Sequence, residues 1–326
     1  MAMAPPADAA ESAPNNRAGG GLLRLGLQIP NFSYGAPTSA LYPAVVAQAQ
    51  EAESAGFDAV LLMDHFCQLP HLGALEDPML EAYTALGGLA TTTRRVQLGT
   101  LVTGNTYRNP ALLAKSVSTL DVMSGGRGFL GIGAGWFELE HRQFGFEYGT
   151  FTDRFERLDE ALQIITPMLR GERPTFEGRW YRAESALNNP RIRDDMPILI
   201  GGSGERKTFA LAARHADHLN IIAPFNRLPR KIEALKRRCQ EHDRDPVTLE
   251  TSALITVVVT DAAGASDAFT PNSRVAVGNL NDIAEQIKRY VIDVGISGVV
   301  VNLPSHGYTP GLIRDVGEKL SRVVGR

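Results

Sequence analysis

Residues 119–136 read TLDVMSGGRGFLGIGAGW and contain the end of one predicted helix and the whole of the next predicted strand. The helix covers 109–124 and opens with Asn109 and Pro110, which are favourable at the N-cap and at the first helical position. The strand covers 126–135 and becomes rich in glycine towards its end. A helix, a tight turn and a buried strand in this order are typical of one step in an alternating α/β fold.

The glycines at 131, 133 and 135 allow two interpretations. They do not form the G-x-G-x-x-G loop of a dinucleotide-binding fold, because the third glycine comes one residue early and the strand is the fourth of the chain. One interpretation is a strand that passes so close to its neighbours that a Cβ would not fit. The other is a bare backbone surface on which a flat ring can lie.

The same alternation continues on both sides of this segment. Predicted strands cover 23–31, 57–65, 95–105, 126–135, 196–204, 217–224, 249–260 and 297–304. Predicted helices cover 39–56, 77–93 with Asp77 as N-cap and Pro78 in the first turn, 109–124, 153–170, 205–215, 227–242, 280–294 and 310–323. Mostly apolar strands that alternate with helices indicate a parallel sheet covered on its outer face.

Eight such units predict a single (β/α)₈ TIM barrel over 22–326, with an insertion around 171–195. A doubly wound open sheet is the alternative. Residues 1–21 are rich in Ala, Pro, Gly and small polar residues, and we expect a disordered N-terminal tail there. They lack the basic start and apolar block of a signal peptide.

The composition argues against nucleic-acid binding and against membrane association. The chain has 33 Lys and Arg against 36 Asp and Glu, so no strong basic field is available for nucleic acid or for an anionic membrane. No apolar run approaches the roughly 20 residues that span a bilayer. Cys67 and Cys239 are far apart and show neither metal-ligand spacing nor a disulfide framework, so we expect a cytoplasmic protein without a metal site.

The candidate site follows from the predicted fold. In a barrel of this kind, functional residues lie at the carboxyl ends of the strands. Those ends read QIPN, MDHF, LVTGN, GIGAGW, IGGSG, IIAP, VVVT and VNLP. Several of them are unusually polar or rich in glycine, which predicts a site at this face of the barrel.

TLDVMSGGRGFLGIGAGW closely resembles the segment that marks the bacterial-luciferase-like flavin and deazaflavin oxidoreductase superfamily. AGFDAVLLMDHF, RVQLGTLVTGNTYRNPALLAKSVSTLD and PILIGGSGERKTFALAARHADHLN resemble further family blocks in family order. MDHF and TYRNPALLAK are similar to the subgroup that uses coenzyme F420. The resemblance implies a luciferase-like barrel, a homodimer, and an F420-dependent oxidoreductase that moves a hydride between the deazaflavin and a small organic substrate. An FMN-dependent monooxygenase and a non-catalytic flavin-binding barrel are the alternatives.

The resemblance also implies roles for two strand ends. Asp64 and His65 match a pair that ends the second strand, and His65 would face the reactive carbon of the deazaflavin as a hydrogen-bond or proton donor. Leu101, Val102 and Thr103 match a bulge behind the ring that contains a non-proline cis peptide. We expect Thr103 to form a hydrogen bond to the edge of the ring.

Two further strand ends are expected to hold the cofactor. The backbone of Ala134 and Gly135 would run along it. Its phosphate would lie at a helix N-terminus formed by Gly201, Gly202, Ser203 and Gly204, with added charge from Arg206 or Lys207.

The segment after strand four departs from one branch of the family. Trp136 stands where the sugar-phosphate dehydrogenases carry a catalytic glutamate, which predicts an aromatic wall and argues against that activity. We expect Glu138 and Glu140 to face solvent. We expect Ser124 and Gly125 to cap a helix and Arg127 to be structural. Substrate contacts are expected from the loops 32–38, 66–76 and 171–195.

Overall fold

The computed structural model describes residues 22–325, so the predicted tail at 1–21 lies outside the described residues. The strands are β1 Leu25–Ile29, β2 Ala59–Leu62, β3 Gln97–Thr100, β4 Thr103–Gly104, β5 Leu130–Gly133, β6 Phe176–Glu177, β7 Arg182–Ala183, β8 Ile198–Gly201, β9 His218–Ile221, β10 Glu250–Val259, β11 Val275–Gly278 and β12 Gly298–Asn302. The helices are α1 Leu41–Ser54, α2 Ala82–Thr92, α3 Pro110–Ser124, α4 Glu138–Phe144, α5 Phe151–Leu169, α6 Lys207–His215, α7 Leu228–Glu241, α8 Leu280–Ile287 and α9 Leu312–Ser321.

The main sheet is parallel and closes into a barrel. Its strands follow the order β3-β2-β1-β12-β10-β9-β8-β5-β4. A parallel bridge between Leu98 of β3 and Gly128, just before β5, closes the ring. Because β3 and β4 are two parts of one strand interrupted at 101–102, the described chain has the eight barrel positions that the sequence predicts. The (β/α)₈ prediction is therefore confirmed, and the open-sheet alternative is wrong.

Three elements within the described chain were not predicted. β11 lies outside the ring and pairs in parallel with the far end of β10, from Thr256 to Val259. β6 and β7 form a short antiparallel hairpin inside the predicted insertion. The third element is α4, a helix of seven residues that follows β5.

The first residues of α2 and α3 test the two N-caps that the sequence predicted. The prediction for α2 is wrong, because the helix begins at Ala82 and its N-cap is Glu81, whose carboxylate accepts a hydrogen bond from Thr84 N. Asp77 instead accepts a hydrogen bond from Ala74 N and closes a turn in the preceding loop. The prediction for α3 is confirmed, because the Asn109 side chain accepts from two backbone N–H groups of the first turn.

The end of α3 also follows the prediction. Gly125 is in the left-handed conformation with a φ of 68°, and its N–H returns to the last turn of the helix. Arg127 donates hydrogen bonds to main-chain oxygens of Ala90, Thr93 and Val96, so its role is structural as expected. Within residues 22–325, no helix combines the length and the apolar character needed to cross a membrane.

The glycines of β5 are explained by close packing. A Cβ on Gly131 would lie 1.9 Å from the carbonyl oxygen of Thr100, and one on Gly133 would lie 2.9 Å from a methyl of Val102. A Cβ on Gly201 would lie 2.7 Å from the other methyl of Val102. The close-approach interpretation therefore holds for Gly131 and Gly133, and the Val102 side chain occupies the space that the glycines leave.

Candidate active site

Asp64 directly follows β2 and is buried. Its two carboxylate oxygens accept hydrogen bonds from the guanidinium of Arg108, at 2.6 and 2.9 Å, and one of them also accepts from Gly104 N at 3.2 Å. Arg108 donates a further hydrogen bond to Glu81 at 2.6 Å. Burial alone would lower the pKa of Arg108, but Asp64 and Glu81 raise it, so the guanidinium stays charged. Asp64 thus ties the end of β2 to the loop after β4.

His65 is held by a carboxylate that the sequence prediction missed. Its Nδ1 lies 2.8 Å from Oε2 of Glu140, whose side chain is fully buried. Our expectation that Glu140 faces solvent is wrong, although Glu138 two residues earlier is exposed as predicted. The difference arises because Glu140 lies on the face of α4 that packs against the loop after β2.

Glu140 also binds the loop itself. Its carboxylate accepts hydrogen bonds from the Tyr107 hydroxyl at 2.5 Å, from Cys67 N at 3.2 Å and from Phe66 N. Burial by itself would raise the pKa of Glu140, but the hydrogen bonds from His65, Tyr107 and Phe66 N outweigh it and lower the pKa. Glu140 is therefore an ionised, buried acceptor that fixes the position of the strand end.

This contact sets the tautomer of His65. An ionised carboxylate can only accept hydrogen bonds, so Nδ1 of His65 carries a proton and donates it to Glu140. Nε2 has no hydrogen-bond partner among the described residues, and 13% of the His65 side-chain surface is exposed to solvent. The ring thus presents one free nitrogen at the carboxyl end of β2.

Two aromatic rings stand beside His65. The ring centroids of Trp136 and Phe137 lie 5.9 and 6.0 Å from the imidazole, both edge-on. Trp136 is 55% exposed, although it contacts a histidine that is largely buried. The aromatic wall predicted from Trp136 therefore lines the approach to His65.

The peptide bond between Leu101 and Val102 is cis, within the segment in which the sequence analysis expected one. The carbonyl of Leu101 accepts a hydrogen bond from the Gln28 side chain at 2.9 Å. The Thr103 hydroxyl is buried and lies 2.7 Å from the Tyr83 hydroxyl and 2.8 Å from that of Thr100. This side chain is committed to the fold, so the expected bond from its hydroxyl to a ring edge is not favoured.

The glycine-rich turn after β8 leads into α6 as predicted, but part of it is already bonded. Gly202 has a φ of +143°, and its N–H donates to the carbonyl of Asn220 at 3.0 Å. The carbonyl of Ser203 accepts from the Lys231 ammonium at 2.7 Å. Lys207 lies at the start of α6 and donates to the Thr152 hydroxyl. Two lysines therefore lie beside the turn, Lys207 at the start of α6 and Lys231 on α7, and only Lys207 was predicted.

Buried polar side chains also lie on four of the barrel strands, β1, β9, β10 and β12. Asn302 donates to the Gln28 side chain at 2.8 Å, and Asn220 donates to the Ser252 hydroxyl at 2.8 Å. The Oδ1 atoms of Asn220 and Asn302 are buried and have no hydrogen-bond partner within residues 22–325. In the register of β10, Asn220 is paired with Ser252 and Asn302 with Thr256, so the two atoms lie at separate levels of the barrel. Each unsatisfied buried acceptor indicates a place for a hydrogen-bond donor from a ligand.

Comparison with known proteins places the chain in a family. The family described as Luciferase-like monooxygenase matches residues 23–271. The chain belongs to this family. The resemblance inferred from its strand ends is thereby confirmed.

Curated relatives are similar in sequence to part of this chain. The F420-dependent glucose-6-phosphate dehydrogenase of Microbacterium testaceum is 40% identical over 167 residues, which cover 51% of this chain and 48% of that protein. The F420-dependent hydroxymycolic acid dehydrogenase of Mycobacterium tuberculosis is 31% identical over 225 residues, covering 69% of this chain and 61% of that protein. The chain thus spans about half the length of the first curated relatives that it matches.

Solved structures confirm the fold over almost the whole chain. An F420-dependent secondary alcohol dehydrogenase, in complex with an F420–acetone adduct, superposes with a TM-score of 0.79 at 20% identity. The superposition covers 93% of this chain and 99% of that one. At this identity the likeness shows the luciferase-like barrel and no more.

Proposed function

We propose that this protein is an F420-dependent oxidoreductase that transfers a hydride between the deazaflavin and a small organic substrate at the carboxyl face of the barrel. The observation that carries the proposal is His65, whose free Nε2 is oriented by the buried carboxylate of Glu140. F420 dependence is printed in the names of the curated relatives, and it supports the choice of cofactor. The proposal includes a cytoplasmic homodimer, which sedimentation analysis would test.

The residues at the barrel mouth fit such a cofactor. A deazaflavin presents an N–H donor between two carbonyls, and the buried Oδ1 atoms of Asn220 and Asn302 are acceptors without partners among the described residues. The backbone of Ala134 and Gly135 and the turn from Gly201 to Gly204 remain our candidates for the ring and the phosphate. Bound F420 would supply the hydride chemistry, which the side chains of a protein cannot provide.

A side chain of the protein would donate or accept the proton that accompanies hydride transfer. Imidazole side chains exchange protons near neutral pH, and a general acid or base of this kind contributes roughly 10²–10⁴-fold to a rate. Glu140 keeps the His65 proton on Nδ1, so the exchangeable position is Nε2, on the free side of the ring. His65 is therefore our candidate catalytic residue, and Glu140 orients it.

Trp136 influences which substrates fit. A carboxylate at this position would offer a second proton-transfer group, whereas the exposed indole offers a flat apolar surface beside His65. We therefore expect a substrate whose reacting carbon sits on an apolar or aromatic skeleton, and not a sugar phosphate. We therefore do not assign to this chain the substrate in the name of the relative from Microbacterium testaceum.

Turnover of reduced F420 tests the proposal. Purified protein would be mixed with reduced F420 and a panel of aldehydes, ketones and activated alkenes, and the return of the visible deazaflavin absorbance followed. We expect substrate-dependent oxidation that His65→Asn slows by about 10²–10⁴-fold, while the affinity for F420 stays within a few-fold. Oxygen consumption with reduced FMN, and none of this oxidation with F420, would replace the proposal by the monooxygenase alternative.

A further inference from the structure

Gln28 and Asn302 are buried polar side chains on two adjacent strands of the barrel, β1 and β12. Gly26 is paired with Val300 in the register of these strands, and each amide comes two positions later. Side chains two positions apart share one face of a strand. Val300 belongs to an apolar cluster with residues of β2, β8 and β10, which meet inside the barrel. Both amides therefore point into the barrel interior.

The hydrogen bonds of the two amides form a chain with a fixed direction. It begins at the carbonyl of Leu101, which only accepts hydrogen bonds, so the Gln28 group that lies 2.9 Å from it is the NH2 group. The oxygen of the Gln28 amide then accepts from Nδ2 of Asn302 at 2.8 Å. What remains is Oδ1 of Asn302, which is buried and has no hydrogen-bond partner within residues 22–325. A main-chain carbonyl thus determines which way both amides point.

A second chain of hydrogen bonds inside the barrel has the same outcome. The Glu250 carboxylate lies 3.4 Å from Nδ1 of His218 and favours a proton on that nitrogen. Nε2 of His218 then accepts from the Ser252 hydroxyl at 2.8 Å, and the hydroxyl oxygen accepts from Nδ2 of Asn220, also at 2.8 Å. Oδ1 of Asn220 is again buried and without a partner in the described part of the chain. Two chains on different strands thus both end in an amide oxygen.

The unpaired oxygen of Asn302 is close to the opening of the barrel. Asn302 is the last residue of β12, and its neighbour in the register of β10 is Thr256, which is partly exposed. A buried acceptor left without a donor costs about 1–3 kcal/mol, and most such groups in folded proteins have a partner. A ligand that places an N–H or O–H group at the end of β12 would supply the missing donor.

We propose that Gln28 is a positioning residue that holds the amide of Asn302 so that its oxygen, and not its NH2 group, is offered to a ligand with an N–H or O–H donor. A ligand carbonyl at the same place would meet oxygen against oxygen, so the arrangement also selects against the wrong group. The inference rests on the proposed function in taking the ligand as the deazaflavin ring, whose N–H between two carbonyls is such a donor. A hydroxyl of the substrate is the other source of the same chemistry.

The test compares Gln28→Met with Gln48→Met. Both glutamines are buried, at 3% and 4% exposure, and methionine keeps the length of the side chain but donates no hydrogen bond. Gln48 lies on α1, where its amide donates to the Tyr34 hydroxyl, so it is the matched control. Each protein would be titrated with 5-deazariboflavin and with the derivative methylated at the ring N–H. The ratio of the two dissociation constants is the quantity compared.

A second pair of probes distinguishes the cofactor from the substrate as the source of the donor. Benzyl alcohol and its methyl ether would be titrated into each protein after saturation with reduced F420, which cannot oxidise the alcohol. We expect Gln28→Met to leave the preference between these two unchanged, because the cofactor ring already occupies Asn302. A fall in this preference, with the deazariboflavin ratio unchanged, would identify the substrate hydroxyl as the donor.

We expect wild type and Gln48→Met to bind the ring with the free N–H at least about tenfold more tightly than the methylated ring, as loss of a hydrogen bond to a buried acceptor should give. In Gln28→Met the amide of Asn302 is no longer held, and the ratio should fall by at least about threefold. Asn302→Asp is the second variant. It should keep the preference for the N–H, because both oxygens of a carboxylate accept hydrogen bonds.

Equal ratios in Gln28→Met and Gln48→Met, for both pairs of probes, would overturn the inference. Loss of the N–H preference in Asn302→Asp would also overturn it, because it would show that the NH2 group of Asn302 faces the ligand. These outcomes are distinct from failure of the proposed function. If Gln28→Met lowers the ratio but no substrate oxidises reduced F420, the inference stands and the proposed function falls.

Discussion

Nδ1 of His65 lies 2.8 Å from Oε2 of Glu140, across 75 positions of sequence. This contact joins the loop after β2 to the helix after β5, and the other imidazole nitrogen has no partner within residues 22–325. Because the carboxylate is fully buried and also binds Tyr107 and two backbone N–H groups, it orients the histidine and holds the loop at once. The two roles can be separated by experiment.

Glu140→Gln keeps the shape of the side chain but removes its charge. We expect the rate of F420 oxidation to fall by about 10–100-fold, the range for loss of a group that orients an active residue. Glu138→Gln, an exposed neighbour on the same helix, is the control and should match wild type in rate.

The stability of the protein should depend on pH through Glu140. Its pKa in the folded protein lies below its usual value, so the ionised form contributes stability above the unfolded pKa, about 4.3. This contribution is lost as the pH falls through the folded pKa. Urea unfolding between neutral and acidic pH should therefore show a smaller loss of stability for Glu140→Gln than for wild type. Parallel curves for the two proteins would show that Glu140 does not contribute in this way.

Asp64→Asn tests the buried ion pair beside the site. The change leaves the guanidinium of Arg108 with only Glu81 as an ionic partner, and loss of one member of a buried pair costs about 3–5 kcal/mol of the free energy of unfolding. Asp293→Asn is the matched control, since its carboxylate binds Lys288 on the exposed surface and contributes about 0–1 kcal/mol. Urea unfolding of both variants measures the difference, and equal losses would contradict the structural role of Asp64.

Gly131→Ala tests the close packing in β5. A Cβ there would lie 1.9 Å from the carbonyl oxygen of Thr100, so the strand must shift, and we expect destabilisation of at least about 3 kcal/mol or failure to fold. Gly87→Ala is the control. Gly87 lies in α2, a Cβ there would come no closer than 3.6 Å to Met123, and alanine favours the helix by about 1 kcal/mol. Thermal melting should rank Gly87→Ala at or above wild type and Gly131→Ala well below it.

The sequence predicted the barrel and the strand ends because both depend on local pattern. The apolar run 57–65 ends in Asp64 and His65, and a parallel barrel brings such ends to one face. The sequence alone could not decide whether Gly131 packs closely against a neighbouring strand or leaves a bare surface for a ring. The answer depends on the position of Thr100, which only the folded structure gives. β11 was missed because Val275–Gly278 lie outside the alternation of strands and helices from which the barrel was predicted.

Glu140 was missed for a different reason. A glutamate on a seven-residue helix that consists mostly of polar residues has the pattern of a solvent-exposed residue. Its burial comes from the loop after β2, which is distant in sequence and supplies most of its donors. Unpaired acceptors such as Oδ1 of Asn302 are equally invisible before the neighbours are known. Tertiary contact determines these features, and local pattern does not.

The central claim is that the barrel mouth takes a deazaflavin, and competitive binding tests it most directly. Purified apo-protein would be titrated with F420 and separately with FMN, with quenching of tryptophan fluorescence as the signal, because Trp136 stands beside His65. We predict low-micromolar binding of F420, about −8 kcal/mol, with FMN at least about tenfold weaker. Tight binding of FMN with weak or no binding of F420 would contradict the account.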